Sequence, residues 1–188
     1  STPLYSSAAS DVYKRQTWRY SLLACFAQYF FGVNVTLRAR EYVPLMQEAL
    51  RLAKRAYDCG EVPVGAVVVD GSGAIIGRGS NLREQDADPL SHAEILAIRQ
   101  AAEVRKSWNL SDCTLVVTLE PCPMCAGAIL QTHISSVVFG AWDSKLGACG
   151  SVWDILRDPH IGSHPQVFGS VCESQCVQLL RNFFENHR

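Results

Sequence analysis

Three things are missing from this chain of 188 residues: a long uninterrupted apolar run, an excess of charge of one sign, and any internal repeat or low-complexity tract. The most apolar stretch, Tyr20 to Val35, is too short and too interrupted to serve as a transmembrane helix, so no membrane association is expected. Seventeen Lys and Arg face eighteen Asp and Glu, and from Glu41 to Arg188 the balance is twelve against seventeen, a net of −5. That excludes a broad basic surface of the kind that grips nucleic acid along its backbone, and leaves room only for a local patch. Without repeats, solenoids and propellers are excluded as well. The length suits one domain with a sizeable core.

The N-terminus is set apart from the rest. Ser6 to Gln16 closely resembles a translated transposase adapter of the type used in sequencing libraries, so residues 1–16 are expected to be an artefact. Lys14, Arg15 and Arg19 ahead of the apolar stretch imitate a secretory leader, but no small-residue cleavage site follows. Residues 17–40 are therefore read as a non-native extension, with the true start near Val33 to Leu37 and the working domain at 41–188. Eight cysteines could signal a disulfide scaffold. Two of them are better explained as metal thiolates, and Cys59, Cys113 and Cys149 as free thiols in or beside predicted elements. Cys172 and Cys176, spaced i, i+4, read as core packing or as a second metal site. Reduced sulfur places the protein in the cytoplasm.

From Glu41 the pattern is regular. Met46, Ala49, Leu50, Ala53, Ala56 and Tyr57 form a helical stripe ending at Gly60. Val64 to Val69 reads as a strand, Asp70 to Gly73 as a turn and Ala74 to Gly79 as the hairpin partner. Further strands are expected at Leu115–Leu119 and Ser136–Phe139. Ser91 is the expected cap of a helix carrying Ile95, Leu96, Ile98 and Ala102. A last helix is expected over Glu173 to Asn186, with Val177, Leu180 and Phe184 on one face. Strands alternating with helices predict an α/β layered domain with a mixed sheet.

The chemistry is concentrated in His92-Ala93-Glu94 and Pro121-Cys122-Pro123-Met124-Cys125. One imidazole and two thiolates supply three ligands to a tetrahedral Zn²⁺ and leave its fourth position open to water. Pro123 suits the first turn of a helix, which puts Cys122 and Cys125 where free N–H groups favour thiolates. Two thiolates cancel the metal's charge and weaken it as a Lewis acid, so a nearby general base is needed. Glu94 is the only carboxylate the motif places there. This pattern resembles the H-x-E…P-C-x-x-C signature of zinc-dependent nucleobase deaminases, which implies hydrolytic deamination with Glu94 as proton shuttle.

Over Glu41 to Arg188 the chain resembles the bacterial tRNA-specific adenosine deaminases. The matching blocks are Glu61 to Ala66, Asp88-Pro89 leading into His92-Ala93-Glu94, and Thr118 to Cys122 through Cys125 to Ala128. Val138 to Ala141, Asp143, Lys145, Gly147-Ala148, Gly150-Ser151, Leu179-Leu180 and Phe183-Phe184 follow. The resemblance implies a three-layer cytidine-deaminase-like α/β fold, its central mixed sheet of about five strands flanked by helices. It also implies one zinc per chain on His92, Cys122 and Cys125, and conversion of adenosine to inosine at the wobble position of a tRNA. The implied tRNA is an arginine tRNA with an ACG anticodon, and the implied partners are its anticodon loop and a second copy in a homodimer.

The same resemblance makes Asn81 a contact to the flipped base, puts Asp143 and Lys145 at the RNA entrance, and sets Phe183, Phe184 and Arg188 on a helix flanking the RNA. Read alone, Asn81 is a turn residue, Asp143 and Lys145 a solvated pair, and the phenylalanines core. Three departures stand out. Trp142 replaces a common basic residue, which would exchange a phosphate contact for stacking. Ser163-His164-Pro165 replaces Asn-His-Arg, and Leu146 replaces a threonine. Guanine deaminases share the zinc motif and suit the acidic balance better, but leave Asp143 to Ser151 and the diaromatic tail unexplained. A structural zinc module needs a fourth protein ligand, for which His133 is the nearby candidate.

Overall fold

Gly65–Val69 contains no polar residue, and such a run survives only as a strand covered on both faces. All five of its residues are buried. The computed structural model describes residues 40–162 and 164–186, all within the compact unit of residues 39–188. The expectations for residues 1–39, Ser163 and Arg188 lie outside the described residues.

In chain order the elements are α1 (Val43–Asp58), β1 (Gly65–Val69), β2 (Ile75–Ser80), α2 (Ala93–Arg105), β3 (Thr114–Leu119), α3 (Pro123–Gln131), β4 (Ser136–Ala141), β5 (Gln166–Phe168) and α4 (Glu173–Asn186). A single 3-10 turn at Ile155–Arg157 lies in the long connection between β4 and β5. The five strands form one mixed sheet in the order β2-β1-β3-β4-β5. β1 is antiparallel to both β2 and β3, whereas β3, β4 and β5 are parallel.

Alternation along the strands sorts the core into two layers. Ala66, Val68, Leu115 and Val117 face α2 and α3, in a cluster with Ala97, Ala101 and Ile129. Val67, Val69, Val116 and Val138 face the other way, against Met46, Ala49 and Leu52 of α1 and Cys176 of α4. Helices cover both faces, which makes the three layers expected from the resemblance. Glycine sets how closely they approach. A Cβ on Gly77 or Gly79 of β2 would strike the backbone of Ala97 or Ala93, and one on Gly65 would strike the backbone of α1.

Several local expectations are corrected. Ser91 does not cap α2; its hydroxyl is directed to Asp86 and Asp88, and His92 occupies the N-cap position without a side-chain cap bond. The α1 stripe is rotated slightly, with Leu52 buried and Leu50 and Tyr57 at its margin. On α4, Cys176 and Phe183 are buried and Phe184 is exposed, because the helix meets the sheet through the face one residue before the expected one. Cys172 precedes α4 in a left-handed conformation, so Cys172 and Cys176 do not share a helix. β5 has only three residues, too few to carry a periodic signal in sequence.

Candidate metal centre and the loops around it

β2, β3, β4 and β5 all point the same way, because β1 runs antiparallel to both of its neighbours. Their carboxyl ends therefore define one edge of the sheet, the edge where open α/β sheets place ligands. The chain leaves β2 at that edge and returns to it at the start of α2. It leaves β3 directly into the first turn of α3, and leaves β4 into the segment from Trp142 to Trp153.

His92 is the N-cap of α2 and Cys122 the N-cap of α3, both with extended backbone. Pro123 opens α3 as expected, and Cys125 lies in its first turn. The donor atoms of His92, Cys122 and Cys125 all lie within 4.8 Å of one another. His92 Nδ1 is 3.7 Å from Cys122 Sγ and 3.5 Å from Cys125 Sγ. A tetrahedral zinc with ordinary Zn–S and Zn–N bonds needs donors about 3.6 Å apart, so the three side chains fit that ion.

The electrostatics are those of a thiol–thiolate pair. The hydrogen bond from Cys125 pulls the Cys122 thiol down to about 4, with His92 adding to the effect and burial opposing it. Cys125 is pushed upward, first by the same bond to Cys122 and then by burial. The His92 imidazole is raised by its hydrogen bond to Cys122. Glu94, on the first turn of α2, is buried, and desolvation raises its carboxyl above the ordinary range. It feels the charges of His92 and Cys122, so it stands beside the donor set without being one of the three.

Two further buried carboxylates shape the walls of the site. Glu61 accepts from Asn81 Nδ2 at 3.2 Å and from the Gln85 amide at 2.8 Å, holding the segment that follows β2. Asn81 is buried directly after β2, ahead of the turn that begins at Arg83, and its backbone N–H donates to the Val64 carbonyl. Glu120 accepts from the amides of Asp143, Cys149 and Ser151 at 3.0, 2.9 and 3.1 Å. Sequence reasoning quoted both glutamates within matching blocks but assigned them no role. A glutamate beside Pro in an otherwise apolar strand end, and one between Gly60 and Val62, were the available signals.

The remaining expected residues fall as follows. Asp143 Oδ1 accepts from the amides of Lys145 and Leu146, forming a tight turn with Lys145 and Leu146 exposed. Trp142 is anchored rather than free. Its indole N–H donates to Ser170 Oγ at 2.9 Å, and its ring meets Phe139 edge-on at 4.6 Å, leaving 44% of it exposed. Phe183 packs edge-on against Tyr57 of α1, and Phe184 is exposed near the end of α4. His133 follows α3 at the opposite end of that helix from Cys122 and packs against Trp108. It lines a groove with His164 and Gln166 at the amino ends of the parallel strands, so the structure does not bring it to the metal centre. No helix among the described residues is long and apolar enough to cross a membrane.

Residues 40–141 match the family described as the cytidine and deoxycytidylate deaminase zinc-binding region, so the site belongs to a zinc-binding deaminase domain. The chain is 43% identical over 143 residues to the tRNA-specific adenosine deaminase of Bacillus subtilis, covering 76% of this chain and 88% of that protein. It is 51% identical over 139 residues to a tRNA(Ile)-lysidine synthase of Deinococcus radiodurans; that covers 74% of this chain but spans only 24% of the synthase. A solved tRNA:A34 deaminase, from work on A-to-I editing at the wobble position, superposes with a TM-score of 0.69 at 38% identity, over 72% of this chain and 97% of its own. The guanine deaminase of Nitrosomonas europaea superposes with a TM-score of 0.60 at 26% identity, over 73% of this chain and 81% of its own. The chain belongs to the tRNA-specific adenosine deaminase family.

Proposed function

We propose that this protein hydrolyses adenosine to inosine and ammonia at the wobble position of a tRNA, acting in the cytoplasm as a homodimer. The carrying observation is the convergence of His92, Cys122 and Cys125 within 4.8 Å beside the buried carboxyl of Glu94. The family relationship supplies the substrate class, and the ACG-anticodon arginine tRNA is the specific substrate proposed.

His92, Cys122 and Cys125 hold the zinc. When bound, that ion supplies a Lewis acid able to bring the pKa of a water molecule near neutrality. Glu94 does the proton work. Burial raises its carboxyl, so it takes a proton from water readily and can deliver it to the ring nitrogen beside the reacting carbon. The carboxylate then takes the second proton of that water from the hydroxyl newly bonded to the ring carbon and passes it to the departing amine, which leaves as ammonia. The carbon gains an oxygen from water and loses its amino nitrogen, so no oxidant or further cofactor is needed.

Asn81, held by Glu61, contacts the extruded base. Lys145, exposed beside the Asp143 turn, meets the RNA backbone at the entrance. Phe184 flanks the anticodon loop from the end of α4, whereas Phe183 serves packing against Tyr57. One exposed lysine and a flipped base suffice for a local grip, which reconciles the acidic balance with an RNA substrate.

The test uses zinc-loaded protein with an ACG-anticodon arginine tRNA and, separately, with free guanine. Inosine at the wobble base is expected, and Glu94→Ala should abolish it while retaining about one zinc per chain, since three protein ligands remain. Ammonia from guanine with untouched tRNA would transfer the chain to purine salvage.

A further inference from the structure

The segment from Trp142 to Trp153 turns several large side chains outward, buries Ala148 and Cys149 in the core, and directs three of its amides inward. Trp142, Lys145, Leu146, Val152 and Trp153 are exposed, yet the backbone beneath them converges on the carboxylate of Glu120. Glu120 is 2% exposed and lies between the end of β3 and Cys122. Its Oε1 accepts from Cys149 and Ser151, and its Oε2 accepts from Asp143. These partners are 23, 29 and 31 residues away in sequence. The main chain adds two clasps at the same place: Glu120 donates to the Ala141 carbonyl at 2.8 Å, and Ala148 donates to the Pro121 carbonyl at 2.9 Å. Ser151 Oγ closes the loop on itself by donating to the Asp143 carbonyl at 2.7 Å.

Gly147 is part of the same construction. A Cβ there would strike Glu120 Oε2, Ser151 Oγ and the Asp143 carbonyl. A carboxylate surrounded by three backbone donors is strongly held, because each bond is charge-assisted and the group has no solvent to return to. The turn that carries Cys122 and the loop that carries Asp143 and Lys145 are thereby joined by one side chain in addition to the main-chain bonds.

We propose that Glu120 is a positioning residue for the substrate. It fixes the Asp143–Ser151 loop to the metal-ligand turn, so that the exposed side chains of the loop meet the RNA at a set distance from the reacting base. This rests on the tRNA-editing reading of the same site. Glu120 touches neither substrate nor metal in this account; it acts through the loop.

Glu120→Gln is the discriminating variant. The amide keeps one acceptor oxygen and turns an NH₂ toward a backbone N–H, so at least one of the three bonds is lost at nearly constant volume. In full-length, zinc-loaded protein, KM for the tRNA should rise about tenfold, the equivalent of one lost charge-assisted bond, with kcat changed much less. Zinc content should stay near one per chain, and hydrogen exchange at the Asp143, Cys149 and Ser151 amides should accelerate relative to wild type. Unchanged exchange, or faster exchange with KM unchanged, would overturn the proposal, since a purely structural role predicts the latter. Should Glu120→Gln fail to fold, Ser151→Ala removes the outer clasp alone and should raise KM in the same direction by a smaller factor; no rise would again overturn it. A wild-type protein inactive on tRNA would sink the editing reading instead, and the exchange rates would still report whether Glu120 anchors the loop.

Discussion

At the scale of single residues, the site works by placing groups of opposite tendency in contact. Cys122 is drawn down and Cys125 driven up because one hydrogen bond joins them, and the neighbouring imidazole shares in the shift. Glu94 moves upward for a different reason, burial. The Cys122 shift has a direct consequence for the protein stripped of zinc with a chelator. With its thiol held at about 4, Cys122 is thiolate at any pH above that value, whereas an ordinary thiol is mostly protonated until pH about 8.5. Iodoacetamide at pH 6 should therefore label Cys122 ahead of the buried Cys113, Cys149 and Cys176, whose thiols burial pushes up. Zinc should protect it. Peptide mapping by mass spectrometry reads both results, and equal labelling with and without zinc would remove Cys122 from the ligand set.

At the scale of elements, the position of α2 decides whether His92 and Glu94 reach the site. That helix lies on Gly77 and Gly79 of β2, close enough that neither tolerates a Cβ without backbone movement. Gly79→Ala should destabilise the fold by about 1–3 kcal/mol through overpacking, seen as a lower midpoint in thermal melts. The displaced contact is the Ala93 carbonyl in the first turn of α2, so zinc affinity should fall as well. An unaltered melting curve would mean the helix can lift away without cost, and the close approach would then have no role in placing the ligands.

For the whole molecule, charge and architecture pull apart. The domain carries a net negative balance over residues 41–188, so any RNA grip must be local and few-handed. If Lys145 makes one backbone contact, Lys145→Ala should reduce the slope of log affinity against log salt by about 0.7 and weaken binding most at low salt. Affinity measured across a salt series checks this. A slope identical to wild type would leave Lys145 as an ordinary solvated lysine. The sheet topology would concentrate such contacts, because β2, β3 and β4 deliver their following loops to one edge.

The motif residues were legible in the primary structure because metal chemistry restricts both residue type and spacing. His92, Cys122 and Cys125 come within reach of one another as the motif implied, and the strand and helix periods on either side announced where each would sit. Four of the five strands and the helices followed from the same patterns, whereas the three-layer arrangement was implied by the resemblance. What tertiary structure alone decided was which polar groups serve the loops. Glu61 and Glu120 were visible as letters, but their partners lie up to 31 residues away, and no local period encodes a hydrogen bond across that distance. The same holds for Trp142, whose indole is tied down by Ser170 and Phe139, and for the α4 face, where packing against Tyr57 selects Phe183 over Phe184. Local chemistry determined what the centre is made of, and long-range packing determined how its walls are held.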